Sequence, residues 1–404
     1  MKHHLSIGLR VTSIALQLVY VKSYTHYLTV VELGYCFYLT ALSYSINALI
    51  LVPADFYQQA RFIDYYQAPF PLRSVLSLNQ QLLLVAAGFT LLLGTPIWLA
   101  GKIHPFDLLL IFSLAVSLYL STSIRNYLNN RGHNLFTGWM LFVEAFLKVG
   151  SFFLFLSVGM AHVNAFVLST VAAFTLEVLC LAFFFYRRVP CTTAPATHFD
   201  FASMLKMSSM VSFSSLCNWV QLQGYRVVYV WFGLVEVAGL YAAVSNLGTL
   251  GMNACSTVFS QMLLPRVYSS KGEYIFQYLK YAVLLCGTVV LGYLALGKIL
   301  LYVLTKKEFE PYANLMVFGI LVEAGNLVIG AVSTYFTIHQ RTLHLISANI
   351  AGLLAAALGF SICLLRNPHN LYWLGCVLAL SQAVVCANLF FKAKKDFSSE
   401  VVHV

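Results

Sequence analysis

The sequence predicts an all-α polytopic membrane protein, with about twelve transmembrane helices in two six-helix lobes around a central cavity. Three observations lead there. The 404 residues are 60% hydrophobic and only 9% charged, more apolar surface than a soluble core of this size can hide. Apolar segments of about 20 residues, each able to cross a ~30 Å hydrocarbon layer, follow one another along the whole chain. Basic residues then gather in alternate loops, as positive-inside topology requires.

The expected spans are 5–22, 29–53, 75–101, 106–124, 134–158, 162–186, 204–232, 236–264, 276–304, 310–338, 342–365 and 370–391. The first carries Arg10 in its body, lacks a small-residue cleavage site and runs into Lys22, so it reads as a helix and not as a signal peptide. Residues 54–74 mix aromatics with charges and are expected to lie along the cytoplasmic interface. With both termini cytoplasmic, Lys2, Arg61, Arg73, Arg125, Arg131, Arg187, Arg188, Arg266, Lys271, Arg341, Lys392, Lys394 and Lys395 share one side. The opposite loops hold Lys22, Lys102, Lys306, Lys307 and Arg366. The formal net charge of +10 follows in part from this bias beside anionic lipid, and no nucleic-acid partner is implied.

Residues 187–203, rich in Pro and Thr, form the longest polar connection after the sixth span and read as a cytoplasmic linker. They divide an N-terminal six-helix lobe, 1–186, from a C-terminal one, 204–404. The halves echo each other: Val31-Glu-Leu-Gly-Tyr35 opens the second span and Val235-Glu-Val-Ala-Gly-Leu-Tyr241 opens the eighth. Repeats of six helices are parallel, related by an axis along the membrane normal, and place a cargo site between the bundles. The nine cysteines fall singly and read as packing residues, with no metal or disulfide spacing and no cofactor implied. No loop is long enough to fold as a catalytic domain, and no Gly-rich phosphate loop suggests an ATP-driven pump.

Charges at bilayer depth are costly and mark polar paths. Glu144 and Lys148 lie four residues apart inside the fifth span; they either line such a path or simply steady their helix as an i, i+4 pair. Helical spacing gathers Ser6, Arg10, Ser13, Gln17, Tyr20 and Tyr24 on one face of the first helix. Ser208, Ser212, Ser215, Trp219, Gln223 and Arg226 share a face of the seventh. Ser113, Ser117, Ser121 and Arg125 do so on the fourth, and Glu323, Asn326, Gly330, Ser333 and Thr337 on the tenth. Such stripes either face a cavity or let helices approach closely and bond across the contact. Arg10 and Arg226 either face water or snorkel to the headgroups. Glu177 and Glu323 have no cation in their own helices and must find one elsewhere, take up a proton or face water. The cations suit an anionic cargo, which Arg226, Lys148, Arg10, Gln223, Trp219, Gln17 and Arg125 are expected to bind. Glu323, Glu177 and Glu144 suit coupling to H+ or Na+. A guanidinium grips phosphate oxygens in a fork, which favours phosphate or pyrophosphate as the anion.

The stretch Trp219-Val-Gln-Leu-Gln-Gly-Tyr-Arg226, continued by Phe232-Gly-Leu-Val-Glu-Val-Ala-Gly-Leu-Tyr-Ala242, resembles the turn between the seventh and eighth helices of polysaccharide transporters. These belong to the multidrug/oligosaccharidyl-lipid/polysaccharide exporter superfamily, and the O-antigen flippases are the members most resembled. The hydropathy plan resembles them over essentially the whole chain. Family members often carry an Asp just before the arginine, where this chain has Tyr225. The resemblance implies a flippase of the bacterial inner membrane, both termini cytoplasmic, that moves undecaprenyl-pyrophosphate-linked oligosaccharide between leaflets by ion-coupled alternating access. Membrane lipids and other glycan assembly proteins would be its partners. The alternatives are a multidrug or cation antiporter of the same superfamily, or an integral membrane glycan polymerase or acyltransferase. An antiporter of cationic drugs would want an acidic cavity, and a polymerase a large catalytic loop.

Overall fold

A computed structural model describes residues 2–62, 65–66, 68–192, 199–270, 272–339, 341 and 343–401, without the side chains of 2–7, 261, 264–265, 268–269, 337 and 397–401. The side chains of Lys2, Ser6, Lys271 and Thr337, and the linker residues 193–198, therefore lie outside the described residues.

Twelve helices follow in order: α1 Lys2–Tyr27, α2 Val30–Phe62, α3 Leu72–Leu99, α4 Pro105–Asn130, α5 Asn134–Ser157 and α6 His162–Arg188. Then come α7 Phe201–Trp231, α8 Val235–Ser269, α9 Ile275–Leu304, α10 Met316–Ile338, α11 Leu343–Arg366 and α12 Leu371–Val401. A 3₁₀ segment, Lys307–Leu315, leads into α10. Among the described residues, nine helical stretches are long and apolar enough to cross a membrane. The other three are α1, α7 and α8. They have the length, and their Ser, Gln and Arg residues make them less apolar than their neighbours.

The chain forms two compact units, Met1–Leu216 and Cys217–Val404. The division falls within α7, past the 187–203 segment. The described ends of that segment are tied to unit 1. Phe70–Pro71 pairs in parallel with Cys191–Thr192, and the Phe70 N–H donates to the Pro190 carbonyl at 2.8 Å. An aromatic cluster of Phe62, Phe70, Tyr127 and Phe199 surrounds this pairing.

Helix α2 opens with a reciprocal cap, in which the Glu32 N–H donates to Thr29 Oγ1 at 3.2 Å and Thr29 N–H to Glu32 Oε2 at 2.7 Å. It does not end near residue 53. A π turn, Asn47–Leu51, stands just ahead of Pro53. It lets the helix absorb the proline's missing N–H and continue to Phe62. Asp55, Gln58 and Gln59 therefore lie on the same continuous helix.

In unit 2, α8 and α10 pack closely because glycines let them. A Cβ on Gly248 would lie 2.0 Å from the Met316 carbonyl oxygen, and one on Gly319 would lie 1.9 Å from that of Ser245. Thr249 Oγ1 bonds across this contact to the Gly319 carbonyl at 3.3 Å, the small-residue packing of membrane helices. The core beside it includes Met252, Ile320, Val332, Tyr335 and Phe336.

Candidate functional site

Unit 1 holds a cluster of four charges from three helices. Helix α4 brings Arg125, α5 brings Glu144 and Lys148, and α6 brings Glu177. Arg125 Nη1 donates to Glu177 Oε1 at 2.9 Å and to Glu144 Oε2 at 3.1 Å. Lys148 Nζ donates to Glu144 Oε1 at 2.5 Å. The Ser121 hydroxyl, one turn before Arg125, donates to Glu177 Oε2. The Glu177 side chain is 0% exposed and that of Glu144 7%, each about 15 Å from the near end of its helix. The Lys148 ammonium also lies 4.1 Å from the centroid of the Phe174 ring, a favourable seat for a desolvated cation.

The i, i+4 spacing thus yields an ion pair. It is one link in a chain that runs from Lys148 through Glu144 and Arg125 to Glu177. Glu177 finds its cation on another helix, and that cation is Arg125. Arg10 lies half-buried in α1, near enough to Arg125 for the two like charges to be felt. Counting Arg10, Arg125 and Lys148 against Glu144 and Glu177, the region carries one excess positive charge when both acids are ionised.

Unit 2 holds a partly open cavity of about 130 Å³ whose wall carries several polar groups, room for a few waters or a small oxyanion. Helix α7 contributes Leu222, Gln223, Tyr225 and Arg226, α8 contributes Asn246 and Thr249, and α10 contributes Gly319, Glu323 and Asn326. Arg226 is buried. Its Nε donates to the Tyr225 hydroxyl at 3.0 Å and its Nη2 to Asn246 Oδ1 at 3.3 Å. Tyr225, which stands where the resembled family often has Asp, meets Tyr241 edge-on at 5.4 Å. Asn326 Nδ2 donates to Glu323 Oε2 at 3.1 Å. Gln223 Oε1 is buried without a hydrogen-bond partner among the described residues. The stripe that ended at Arg226 and the stripe that began at Glu323 therefore meet on one wall.

Other expected residues have different surroundings. In α1, Ser13 donates to the Leu141 carbonyl at 3.1 Å, and the Tyr20 hydroxyl lies 2.9 Å from Ser169 Oγ and 3.2 Å from Thr170 Oγ1. Those positions bond helix to helix, while Gln17 and Trp219 are half-buried and outside both constellations. Ser208 bonds to its own helix at the Met204 carbonyl.

Two polar groups escaped the reading of the sequence. Gln58 Nε2 donates to Asn79 Oδ1 and to the Tyr119 hydroxyl, both at 3.0 Å. Gln59 Nε2 donates to Asp55 Oδ1 and to the Ser123 carbonyl, both at 3.1 Å. The signal was there in Asp55, Gln58 and Gln59 at helical spacing, but the mixture of aromatics and charges in 54–74 reads as an interfacial stretch. Asn246 of the cavity gave no signal, since one Asn among small residues is a common packing residue. Among the described residues no group of three or more His, Cys, Asp or Glu could hold a metal ion.

The chain matches no protein-family profile and no curated protein sequence. Its fold is similar to that of solved MATE transporters. An outward-facing multidrug resistance MATE family transporter of the MOP superfamily matches with a TM-score of 0.64 at 14% identity, covering 98% of this chain and 95% of that one. An inward-facing multidrug resistance MATE family transporter matches with a TM-score of 0.58 at 13% identity, covering 100% and 96%. An aspartate-to-asparagine variant of a Vibrio cholerae MATE transporter matches with a TM-score of 0.63 at 11% identity, covering 98% and 96%.

Proposed function

We propose that this chain is a multi-pass membrane transporter of the exporter superfamily, working by alternating access of its two units and coupled to an ion gradient. The observation that carries the reading is the fold, which is similar to that of MATE transporters over nearly the full length of both chains. Its membrane is the bacterial inner membrane, with both termini cytoplasmic, in keeping with the side on which the basic loops gather. The buried carboxyls Glu144 and Glu177 and the half-buried Glu323 are the groups assigned to load an ion.

Two cargo readings each have an observation behind them. The fold neighbours with a stated role are multidrug transporters, so the comparisons support a multidrug or cation antiporter better than a flippase. They give no support to a lipid-linked oligosaccharide. The charges favour an anion: Arg10, Arg125 and Lys148 outnumber two acids in unit 1, and Arg226 lines the cavity of unit 2. In the four-charge cluster of unit 1 both carboxylates, Glu144 and Glu177, are already shared with Arg125 or Lys148. An undecaprenyl-pyrophosphate-linked glycan would set its phosphates on arginine and leave its tail in lipid.

Purified protein in vesicles, under an imposed H+ or Na+ gradient, separates the readings. Gradient-dependent crossing of a fluorescent prenyl-pyrophosphate oligosaccharide is expected if the charges decide. Efflux of an organic cation dye, with no movement of the lipid, establishes the antiporter. Failure of both under every gradient removes the transport reading.

A further inference from the structure

We propose that the cavity of unit 2 binds a phosphate-class oxyanion and a proton together, the anion on Arg226 and the proton on Glu323. The proposal rests on the reading of Arg226 as a cargo residue and Glu323 as a coupling residue. It adds that the two act in one pocket, and it fixes the sign with which they are linked.

The argument begins with the wall. Among the described residues, it carries one guanidinium, Arg226, and one carboxyl, Glu323. Its other titratable groups are the phenols Tyr225 from α7 and Tyr241 from α8. Helix α12 contributes Leu378, while α9, α11 and the 3₁₀ segment contribute no wall residue. Of the groups those elements turn toward this region, Tyr293 of α9 bonds the Leu247 carbonyl, and Cys386 of α12 lies against the Gly325 carbonyl. Neither brings a charge. Glu323 makes no ion pair among the described residues, and its hydrogen bond comes from the neutral amide of Asn326.

The charge of the wall is therefore set by Glu323. With the carboxylate ionised the wall is neutral overall, and an incoming anion meets repulsion as well as attraction. With a proton on Glu323 the wall carries a full positive charge, and the new hydroxyl is a donor. The volume, about 130 Å³, holds a tetrahedral oxyanion, and in so small a space charges on the two side chains are both felt by it. Gln223 Oε1, buried without a partner, accepts from such a hydroxyl or from a bound water. Linkage is reciprocal, so an anion that binds better after protonation also draws the proton in. Proton and anion then load from the same side. A cationic cargo in this cavity would compete with the proton, and the linkage would have the opposite sign.

Sulfate, whose charge is constant through the working range, is the probe. Its binding to the full chain in lipid discs is measured by calorimetry from about pH 8 to about pH 5. The expected result is roughly tenfold tighter binding at the acid end. Glu323→Gln, checked for a single folded species by gel filtration, is expected to bind tightly with a flat profile. Arg226→Lys is expected to bind more weakly throughout while keeping the slope, because lysine retains the charge and loses the fork.

A flat profile in the unaltered protein overturns the linkage and leaves Arg226 as an anion site. A slope that survives Glu323→Gln overturns the role of that carboxyl. Absence of sulfate binding at every pH overturns the linkage and the cargo reading of Arg226 together. Comparison of inorganic pyrophosphate with farnesyl pyrophosphate at one pH assigns the source. Equal affinity identifies a free anion, tighter binding of the lipid identifies a lipid-borne one, and both outcomes support the oxyanion class.

Discussion

Replacing Arg125 with glutamine should destabilise unit 1 by about 3–5 kcal/mol, the usual cost of breaking a buried ion pair from one side. One nitrogen of Arg125 serves both carboxylates, at 2.9 Å and 3.1 Å. After its loss Glu144 still has Lys148 at 2.5 Å, so most of the cost falls on Glu177. That side chain is fully buried, and among the described residues it retains the Ser121 hydroxyl alone. For a unit of this size the loss corresponds to a fall in Tm of about 6–20 °C. Glu177→Gln should cost less, about 1.5–3 kcal/mol, because Arg125 keeps Glu144 and only one charge-assisted hydrogen bond is weakened. The double variant strands no carboxylate at position 177, so it should be more stable than the sum of the single costs predicts, by roughly 2–3 kcal/mol. Thermal and denaturant unfolding of the four proteins in lipid discs measures this cycle. Costs that add to within about 0.5 kcal/mol, or an Arg125→Gln cost below about 1 kcal/mol, would refute the reasoning.

Three further predictions concern unit 2 and the topology. Arg226→Ala and Arg226→Lys should each weaken cargo binding about tenfold to a hundredfold, the loss of a charge-assisted contact of roughly 1.5–3 kcal/mol; unchanged transport by both variants, at equal protein level, removes Arg226 from the site. Gly319→Ala should destabilise by about 1–3 kcal/mol through overpacking, since its Cβ would meet the Ser245 backbone, whereas Gly330→Ala on the same helix meets nothing within 4 Å. That control should change stability by no more than about 0.5 kcal/mol, and equal unfolding temperatures for the two would contradict the close contact of α8 and α10. Reporter fusions within 187–203 and after residue 404 should both read cytoplasmic, and a signal from the opposite side at either position reverses the proposed orientation.

The sequence by itself determined the helices, because length and hydropathy are local properties. Twelve expected spans correspond to twelve helices, nine of them apolar enough among the described residues to cross a membrane, and Val31 and Val235 lie at the starts of α2 and α8 where the two halves echo each other. It also determined which residues would be costly at depth, and one of their pairings: Glu144 and Lys148 lie one turn apart, so helical geometry alone brings them together. The end of α2 was misplaced, since apolar character falls off beyond residue 53 while the helix, with a π turn just ahead of Pro53, runs on to Phe62. The partner of Glu177 was left open, because Arg125 lies 52 positions earlier and only the packing of α4 against α6 joins them. Arg226 and Glu323 are farther apart still along the chain. They share a cavity because Gly248 and Gly319 let α8 and α10 close to within backbone contact, carrying Glu323 on α10 to the wall that α7 lines with Arg226. Helical periodicity fixes which residues share a face; which faces meet is decided by the small residues between helices, acting across distances that no local pattern spans.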